Sequence, residues 1–198
     1  MNKTFRNLAI FALSAVMAVS GTSAVFAAGS PQTGGTPVAQ TGVAVASTPT
    51  QTAAAVTTST DGGATLESIQ ANVKTVKVGT VVTVNGQPTA VVTVGGVNYK
   101  LETIAKSAVS TTKTKKVTLT VNSDTKFNSY VIGSKARKSG KLKNVYIKTA
   151  SGKLTAANFD KKAFKKYKGN VRIKKGCMTK TEYKKLKKRL KGVKVRWY

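Results

Sequence analysis

The side chains with the most chemistry to offer lie on alternate positions of four short apolar runs. Val117-Thr-Leu119-Thr-Val121, Val145-Tyr-Ile147, Val171-Arg-Ile173 and Val193-Lys-Val195 are each spaced like a β-strand. Successive strand side chains point to opposite faces. If the aliphatic set turns inward, the intervening set forms an outward row: Thr118 and Thr120, Tyr146 and Lys148, Arg172 and Lys174, Lys194 and Arg196. The candidate ligand-binding residues are Tyr146, Lys148, Arg172, Lys174, Lys194 and Arg196. Cations with an aromatic among them, and Trp197 close by, could grip an anionic chain by Coulomb attraction and cation–π contact. The plain alternative is that strands of a basic protein show lysine to solvent in any case. Beyond residue 28 Lys outnumbers Arg 28 to 4. Most of the charge is therefore carried as point charges, and binding should be loose and salt-sensitive.

Much other chemistry is excluded. The chain holds 34 Lys+Arg against 6 Asp+Glu, a formal charge of +28, with no histidine and one cysteine. An intrachain disulfide is impossible, a His/Cys zinc site has no ligands, and no histidine base exists. No catalytic residue, metal or cofactor is expected. The one enzymatic alternative is a hydrolase using two carboxylates such as Glu102 and Asp124, which fall in different segments with nothing to shift their pKa. Gly62-Gly63 and Gly95-Gly96 lack a phosphate-loop context. Cys177 reads as a small buried hydrophobe rather than a cross-link. Tyr130, Phe159, Phe164 and Tyr167 read as core or near-core rather than as a ligand cage.

The elements that must hold the outward row begin far from the N-terminus. Residues 1–28 have the form of a secretory signal peptide: Lys3 and Arg6, an uncharged apolar run from Leu8 to Val19, then small residues to Ala28. Residues 29–65 contain 10 Thr and no Lys or Arg. That composition predicts a disordered spacer. Residues 66–100 carry Val/Thr-rich runs at Val76–Val84 and Thr89–Val94 around Asn85-Gly86, which predicts a β-hairpin or cap region. Val97, Tyr99 and Leu101 alternate as a third strand. Residues 101–198 make the remaining domain. It closes with a helix over 180–191, opened by a Thr179-Lys-Thr-Glu182 capping box and ended by Gly192. Tyr183, Leu186 and Leu190 share one face of that helix and Lys the rest, which suits a lid on the preceding strands.

Residues 101–198 also repeat. Leu119, Val145 and Val171 step by 26, as do Val121, Ile147 and Ile173. Ile104-to-Ala108, Ile132-to-Ala136 and Phe159-to-Ala163 form a second, interleaved series. Two series of nearly one period predict a β-rich α/β solenoid, each unit burying its apolar side only against its neighbours. From Gly96 to Tyr198 the chain resembles bacterial surface proteins with BspA-like leucine-rich repeats. The resemblance is carried by Ile132-Gly-Ser-Lys-Ala136, Lys141-Leu-Lys-Asn-Val-Tyr-Ile147, Lys161-Lys-Ala163-Phe164 and the segment from Thr179 to Val195. It departs from the pattern in finding no asparagine at the ladder position after the strands. The resemblance implies a short, irregular leucine-rich-repeat array with an N-terminal hairpin region and a C-terminal capping helix. It also implies a cell-surface location and adhesion or binding without catalysis.

The expected function is that of a secreted, strongly basic, non-catalytic surface-binding or adhesion protein of leucine-rich-repeat type, retained on anionic envelope polymers. The expected partners are an anionic cell-wall polymer, an acidic polysaccharide, or a surface protein of a host or neighbouring cell. A structural wall protein without a specific ligand is the alternative. Nucleic acid fits the charge, but an export signal and the scarcity of Arg argue against it. No second apolar stretch of membrane length is present.

Overall fold

The computed structural model describes residues 39–44, 52–69 and 73–198. The expected signal peptide lies outside them. In chain order the strands are β1 (Ala39–Ala44), β2 (Thr52–Thr58), β3 (Gly63–Ile69), β4 (Thr75–Val78), β5 (Thr80–Val84), β6 (Gln87–Val94), β7 (Val97–Ile104), β8 (Lys116–Val121), β9 (Lys126–Phe127), β10 (Asn144–Thr149), β11 (Asn170–Ile173) and β12 (Lys194–Trp197). Helix α1 spans Ser134–Ser139, a 3₁₀ turn spans Ala156–Asn158, and helix α2 spans Lys180–Arg189.

The strands form two sheets. A mixed sheet runs β1-β2-β3-β7-β6-β5, with β9 paired to β7; its β3–β7 and β7–β9 pairings are parallel and the others antiparallel. The second sheet, β12-β11-β10-β8-β4, is parallel throughout. Its register stacks Val76, Val117, Val145, Val171 and Val195 in one row, and Val78, Leu119, Ile147, Ile173 and Trp197 in the next. All of these except the half-buried Trp197 are buried. Each buried aliphatic side chain contributes roughly 1.5–3 kcal/mol by leaving water. The core continues into the segments behind it, where Phe127 stacks on Phe159 with ring centroids 4.4 Å apart and Phe164 lies beside both.

Asn85-Gly86 makes the tight turn its sequence predicts. Both residues have positive φ, 49° and 76°, and β5 and β6 pair outward from Val84 and Gln87. The run Val76–Val84 is not one strand, however. It is cut at Gly79, with Val76 and Val78 in the parallel sheet and Thr80–Val84 in the mixed one.

That cut overturns the expected leucine-rich-repeat solenoid. The strand-rich chain leaves the parallel sheet after β4, builds β5, β6 and β7 in the other sheet, and returns at β8. The rows therefore step by 41, 28, 26 and 24 residues from Val76 to Val195 rather than by one period. The return segments share no common form, being a six-residue helix, a 3₁₀ turn and a ten-residue helix. The two expected series also misalign. Val145 pairs with Val117, not Leu119, and Ile104 pairs with Phe127, not with the Ile132 segment. Ile132 bridges to Val109, which bridges to Ile69, while Phe159 bridges to Phe127. A two-residue slip keeps the inward and outward parity, so the assignment of outward residues survives the wrong register.

Composition also misread part of 29–65. Residues 52–58 and 63–69 are strands, with Ala54, Val56, Ala64 and Leu66 buried. Small Ala and Val side chains at alternate positions suffice when another layer supplies the bulk. Asn122 directly follows β8 and is buried, its side chain bonded to Ala90 and Leu101. Helix α2 begins as expected, with the Glu182 N–H donating to Thr179 Oγ1 at 3.1 Å. Its capping box is one-sided, because the Glu182 carboxylate accepts instead from the Ala156 N–H at 2.8 Å and from Lys185. The helix buries Leu186 and keeps its lysines exposed, and its C-cap residue Leu190 is buried as well.

Candidate polyanion-binding face

The outer face of the parallel sheet is built by the same parity that builds its core. Where Val117, Val145, Val171 and Val195 point inward, Thr118, Tyr146, Arg172 and Arg196 form a cross-strand row, extended on β4 by Lys77. A second row holds Thr75, Lys116, Asn144, Asn170 and Lys194. A third begins with Thr120 beside Lys148. Lys174 follows β11 by one residue, and its N–H donates to the Ile147 carbonyl at 3.0 Å, which carries the register on beside Lys148. Neighbouring strands lie about 4.8 Å apart, so the rows are dense. Lys77, Lys116, Lys174, Lys194 and Arg196 are exposed; Tyr146, Lys148 and Arg172 are half-buried; Thr120 is buried.

All six expected residues therefore lie on one face, but they are not equivalent. Tyr146 is its centre. Lys116 Nζ lies 4.5 Å from the Tyr146 ring centroid and the Arg172 guanidinium 5.7 Å. The Tyr198 ring meets Tyr146 edge-on, with centroids 4.8 Å apart. Arg172 Nε donates to Asn144 Oδ1 at 2.9 Å, and Asn170 Nδ2 donates to the same oxygen at 3.3 Å. Lys148, Lys174, Lys194 and Arg196 have no such neighbours among the described residues. Trp197 does not belong to the face. It points inward with Val195 and stacks on Tyr183 of α2, centroids 4.0 Å apart, while the Tyr183 hydroxyl donates to the Val195 carbonyl at 3.0 Å.

Sequence reasoning missed Lys77, Lys116, Asn144, Asn170 and Tyr198. The signal was available for most of them. Thr75-Val-Lys-Val78, Lys116-Val-Thr-Leu119, Asn144-Val-Tyr-Ile147, Asn170-Val-Arg-Ile173 and Lys194-Val-Arg-Trp197 share one pattern, polar-Val-polar-apolar. Its first position marks the second row.

Among the described residues no carboxylate forms an ion pair with a cation of this face. Among the described residues two ion pairs form, Lys100 with Asp124 at 2.5 Å and Lys185 with Glu182 at 2.7 Å, both elsewhere. The pair considered for hydrolysis is not assembled. Asp124 lines a cleft of about 560 Å³ with Asp61, Lys100, Asn122 and Ser151, whereas Glu102 lines a separate cleft of about 200 Å³ with Ser59 and Gly63. The two carboxyl groups that leave their usual range both move down: Asp61 through the Ser59 hydroxyl, Glu182 through Lys185 and the Ala156 N–H. A general acid at neutral pH needs the opposite shift. Among the described residues no cluster of three or more acids or Cys could hold a metal ion. Cys177 is a buried free thiol whose Sγ accepts from the Thr149 N–H at 3.3 Å. Among the described residues no helix is long and apolar enough to cross a membrane.

No family model matches the chain, and neither a curated protein nor a solved structure matches it.

Proposed function

We propose that the protein is a non-catalytic binder of extended anionic polymers, acting outside the cell, and that the outer face of the parallel sheet is its contact surface. The anionic polymer of a cell wall, or an acidic polysaccharide, fits such a surface by charge and by shape. An extended chain can lie across parallel strands, meeting a cation or an aromatic on four of the five, with Thr118 on β8 between Lys77 and Tyr146. The observation that supports this reading is the alignment of Lys77, Tyr146, Arg172 and Arg196 across the sheet, flanked by Lys116, Lys148, Lys174 and Lys194, none of them in an ion pair among the described residues. The apolar opening segment supplies the extracellular part of the reading. Helix α2 is equally lysine-rich, but its lysines are scattered round a lid and lack aromatic or asparagine neighbours, except for Lys187 near Tyr183. It serves as an internal control.

The test is co-sedimentation of residues 29–198 with isolated cell walls, with and without their anionic polymers, across salt concentrations through about 0.15 M, where the screening length is about 8 Å. Reversing Arg172, Lys174, Lys194 and Arg196 to Glu should weaken binding at least about tenfold more than reversing Lys184, Lys187, Lys188 and Lys191, since aligned charges act on one ligand together. Equal losses would mean that total charge docks the protein with no defined surface, the behaviour of a structural wall protein.

A further inference from the structure

The two sheets end in different kinds of edge. An edge strand offers unpaired N–H and C=O groups to any further strand, and proteins guard it with lysine, proline or a bulge. The end strands of the parallel sheet carry Lys77 on β4 and Lys194 and Arg196 on β12. β5, an end strand of the mixed sheet, has no such guard. Thr80-Val-Val-Thr-Val84 is uncharged and lacks proline, and its register with β6 is unbroken. All of it is exposed except the half-buried Val82. The hairpin decides which backbone groups face outward. Antiparallel ladders alternate hydrogen-bonded and non-bonded pairs. Val84 and Gln87 close the two-residue turn and form a bonded pair, as do Val82 with Thr89 and Thr80 with Val91. The N–H and C=O groups of Val81 and Thr83 therefore point away from β6. Pro88, which has no N–H, lies opposite Thr83, where β5 asks for none. Among the described residues no turn or loop hydrogen bond takes up the Val81 or Thr83 groups.

We infer that β5 is a docking edge for a second copy of this chain, the two β5 strands pairing antiparallel about a two-fold axis at Val82. In that register Val81 lies opposite the partner's Thr83, and Thr83 opposite the partner's Val81. Each such pair exchanges both of its outward hydrogen bonds, so the free groups of both edges are satisfied together. Val82 meets its own counterpart at a non-bonded position, where β-branched side chains approach closely. Val84 gains the partner's Thr80 as its cross-strand neighbour. The edge is thus complementary to itself, as a two-fold contact requires. Charge favours the same occupant at the same place. A chain of formal charge +28 repels its copies, and from Val78 to Tyr99 it has no charged residue. Two copies can meet along β5 without setting cation against cation, whereas at β4 or β12 they would oppose Lys77 or Arg196 to their equals. The pairing stands apart from the polyanion reading and does not depend on it.

Sedimentation equilibrium of the purified protein tests it, from about 10 μM to about 1 mM, at about 0.1 M and about 1 M salt, where the screening length falls from about 10 Å to about 3 Å. A five-residue contact belongs to the small, transient class of interface, so a Kd on the order of 100 μM is expected at the higher salt. At the lower salt it should be at least about fivefold weaker, because like-charged copies repel. Polyanion binding moves with salt in the opposite direction, so the two readings fail separately. Thr83→Lys adds a charge on the pairing edge and should weaken dimerisation at least about tenfold at 1 M salt. Val97→Lys adds the same charge at an exposed valine of β7, off that edge, and should stay within about twofold. Val81→Pro removes one outward N–H that the ladder to β6 does not use, and should abolish the dimer. All variants are checked for unaltered melting. In the parent protein, hydrogen exchange at Val81 and Thr83 should slow as the dimer fills, while the Val84 amide is unchanged. That readout decides the pairing even where a variant fails to fold. A chain that stays monomeric to about 1 mM at both salts would overturn the inference. So would equal losses from Thr83→Lys and Val97→Lys, which would mean that exposed valines cluster without pairing. Growth beyond a dimer would overturn the two-fold arrangement, since such a contact closes on itself.

Discussion

Two exposed strand surfaces in this chain are finished in opposite ways. From Val78 to Tyr99, through β5, β6 and the start of β7, there is no charged residue. Yet Val81, Val84 and Val97 are 45%, 43% and 53% exposed. The parallel sheet shows solvent Lys77, Lys116, Lys148, Arg172, Lys174, Lys194 and Arg196. The uncharged surface is made largely by Val and Thr strands, so an exposed strand of this chain does not need lysine to stay folded. Pairing geometry deepens the contrast. A parallel register sets like positions of similar runs side by side, which puts Arg196 next to Arg172; an antiparallel register sets Val81 opposite Ala90. Charge on the parallel sheet therefore costs cross-strand repulsion, about 0.2–1 kcal/mol for each like pair. Charge kept where it is costly and omitted where it would be cheap points to use rather than to general solubility.

The two surfaces belong to sheets that meet at Asn122, and the comparison can be broken most severely there. The antiparallel ladder between β6 and β7 ends with Val91 opposite Lys100. At the next position the Asn122 amide takes over. Its Oδ1 accepts from the Ala90 N–H at 2.7 Å, and its Nδ2 donates to the carbonyls of Ala90 and Leu101 at 2.8 and 3.1 Å. All three residues are buried. Asn122→Leu would strand the Ala90 N–H and carbonyl in a low-dielectric interior, at a cost of about 2–4 kcal/mol. Urea unfolding should show that loss, and hydrogen exchange should place the early opening in β6 and β7 while β10 and β11 stay protected. A loss below about 1 kcal/mol would mean that the sheets are coupled by apolar packing alone.

A smaller effect is expected where the chain crosses from one sheet to the other. Gly79 has φ +83°, and a Cβ added there would press into the Thr120 carbonyl; Gly86, at φ +76° in the hairpin turn, has nothing near the corresponding position. Gly79→Ala therefore combines backbone strain with a steric clash and should cost about 2–3 kcal/mol, against about 1 kcal/mol for Gly86→Ala, which pays strain only. Paired thermal melts decide it. Equal losses would show that the crossing is no tighter than an open turn.

What could be read in advance follows from how locally each feature is encoded. The outward set was legible because strand parity is a property of neighbouring residues, and Val145-Tyr-Ile147 and Val171-Arg-Ile173 declare it without knowledge of their partners. The turn at Asn85-Gly86 and the Thr179 cap are equally local. Register is not. Val117 and Leu119 are both aliphatic and share parity, so the slip between them is invisible until packing chooses. The fold class failed for the same reason: β4 joins the parallel sheet from 41 residues before β8, a gap that no period announces. Thr52–Thr58 and Gly63–Ile69 were hidden by composition, since Ala and Thr strands read as linker unless a covering layer is foreseen. The ordered part of the face, Arg172 held by Asn144, depends on cross-strand neighbours 28 positions apart in the chain.

The mildest test concerns the half of the molecule that carries the charge. Tyr167 sits where the chain leads into β11, lining a cavity of about 80 Å³ with Lys143 and Gly169. It is buried, and its hydroxyl has no partner among the described residues. Burial raises its pKa well above the ordinary tyrosine range, because the phenolate would lose its hydration. In the unfolded chain a tyrosine ionises near about pH 10. Above that pH the unfolded state has released the proton while the folded state still holds it, so folding stability is fully present below about pH 10 and falls as pH rises. Tyr167→Phe removes this liability together with the unpaired hydroxyl. The variant should be as stable as the parent at pH 7 or more stable by up to about 1 kcal/mol. Its advantage should grow by about 1.4 kcal/mol for each pH unit above roughly 10. Contributions from Tyr183, Tyr198 and the lysines are common to both proteins and cancel in the difference. Urea unfolding of the two at pH 7 and pH 11 measures it. An advantage that is the same at both pH values would mean that the folded protein already accommodates the phenolate, and that the alkaline limit of the charged half is set by its lysines instead.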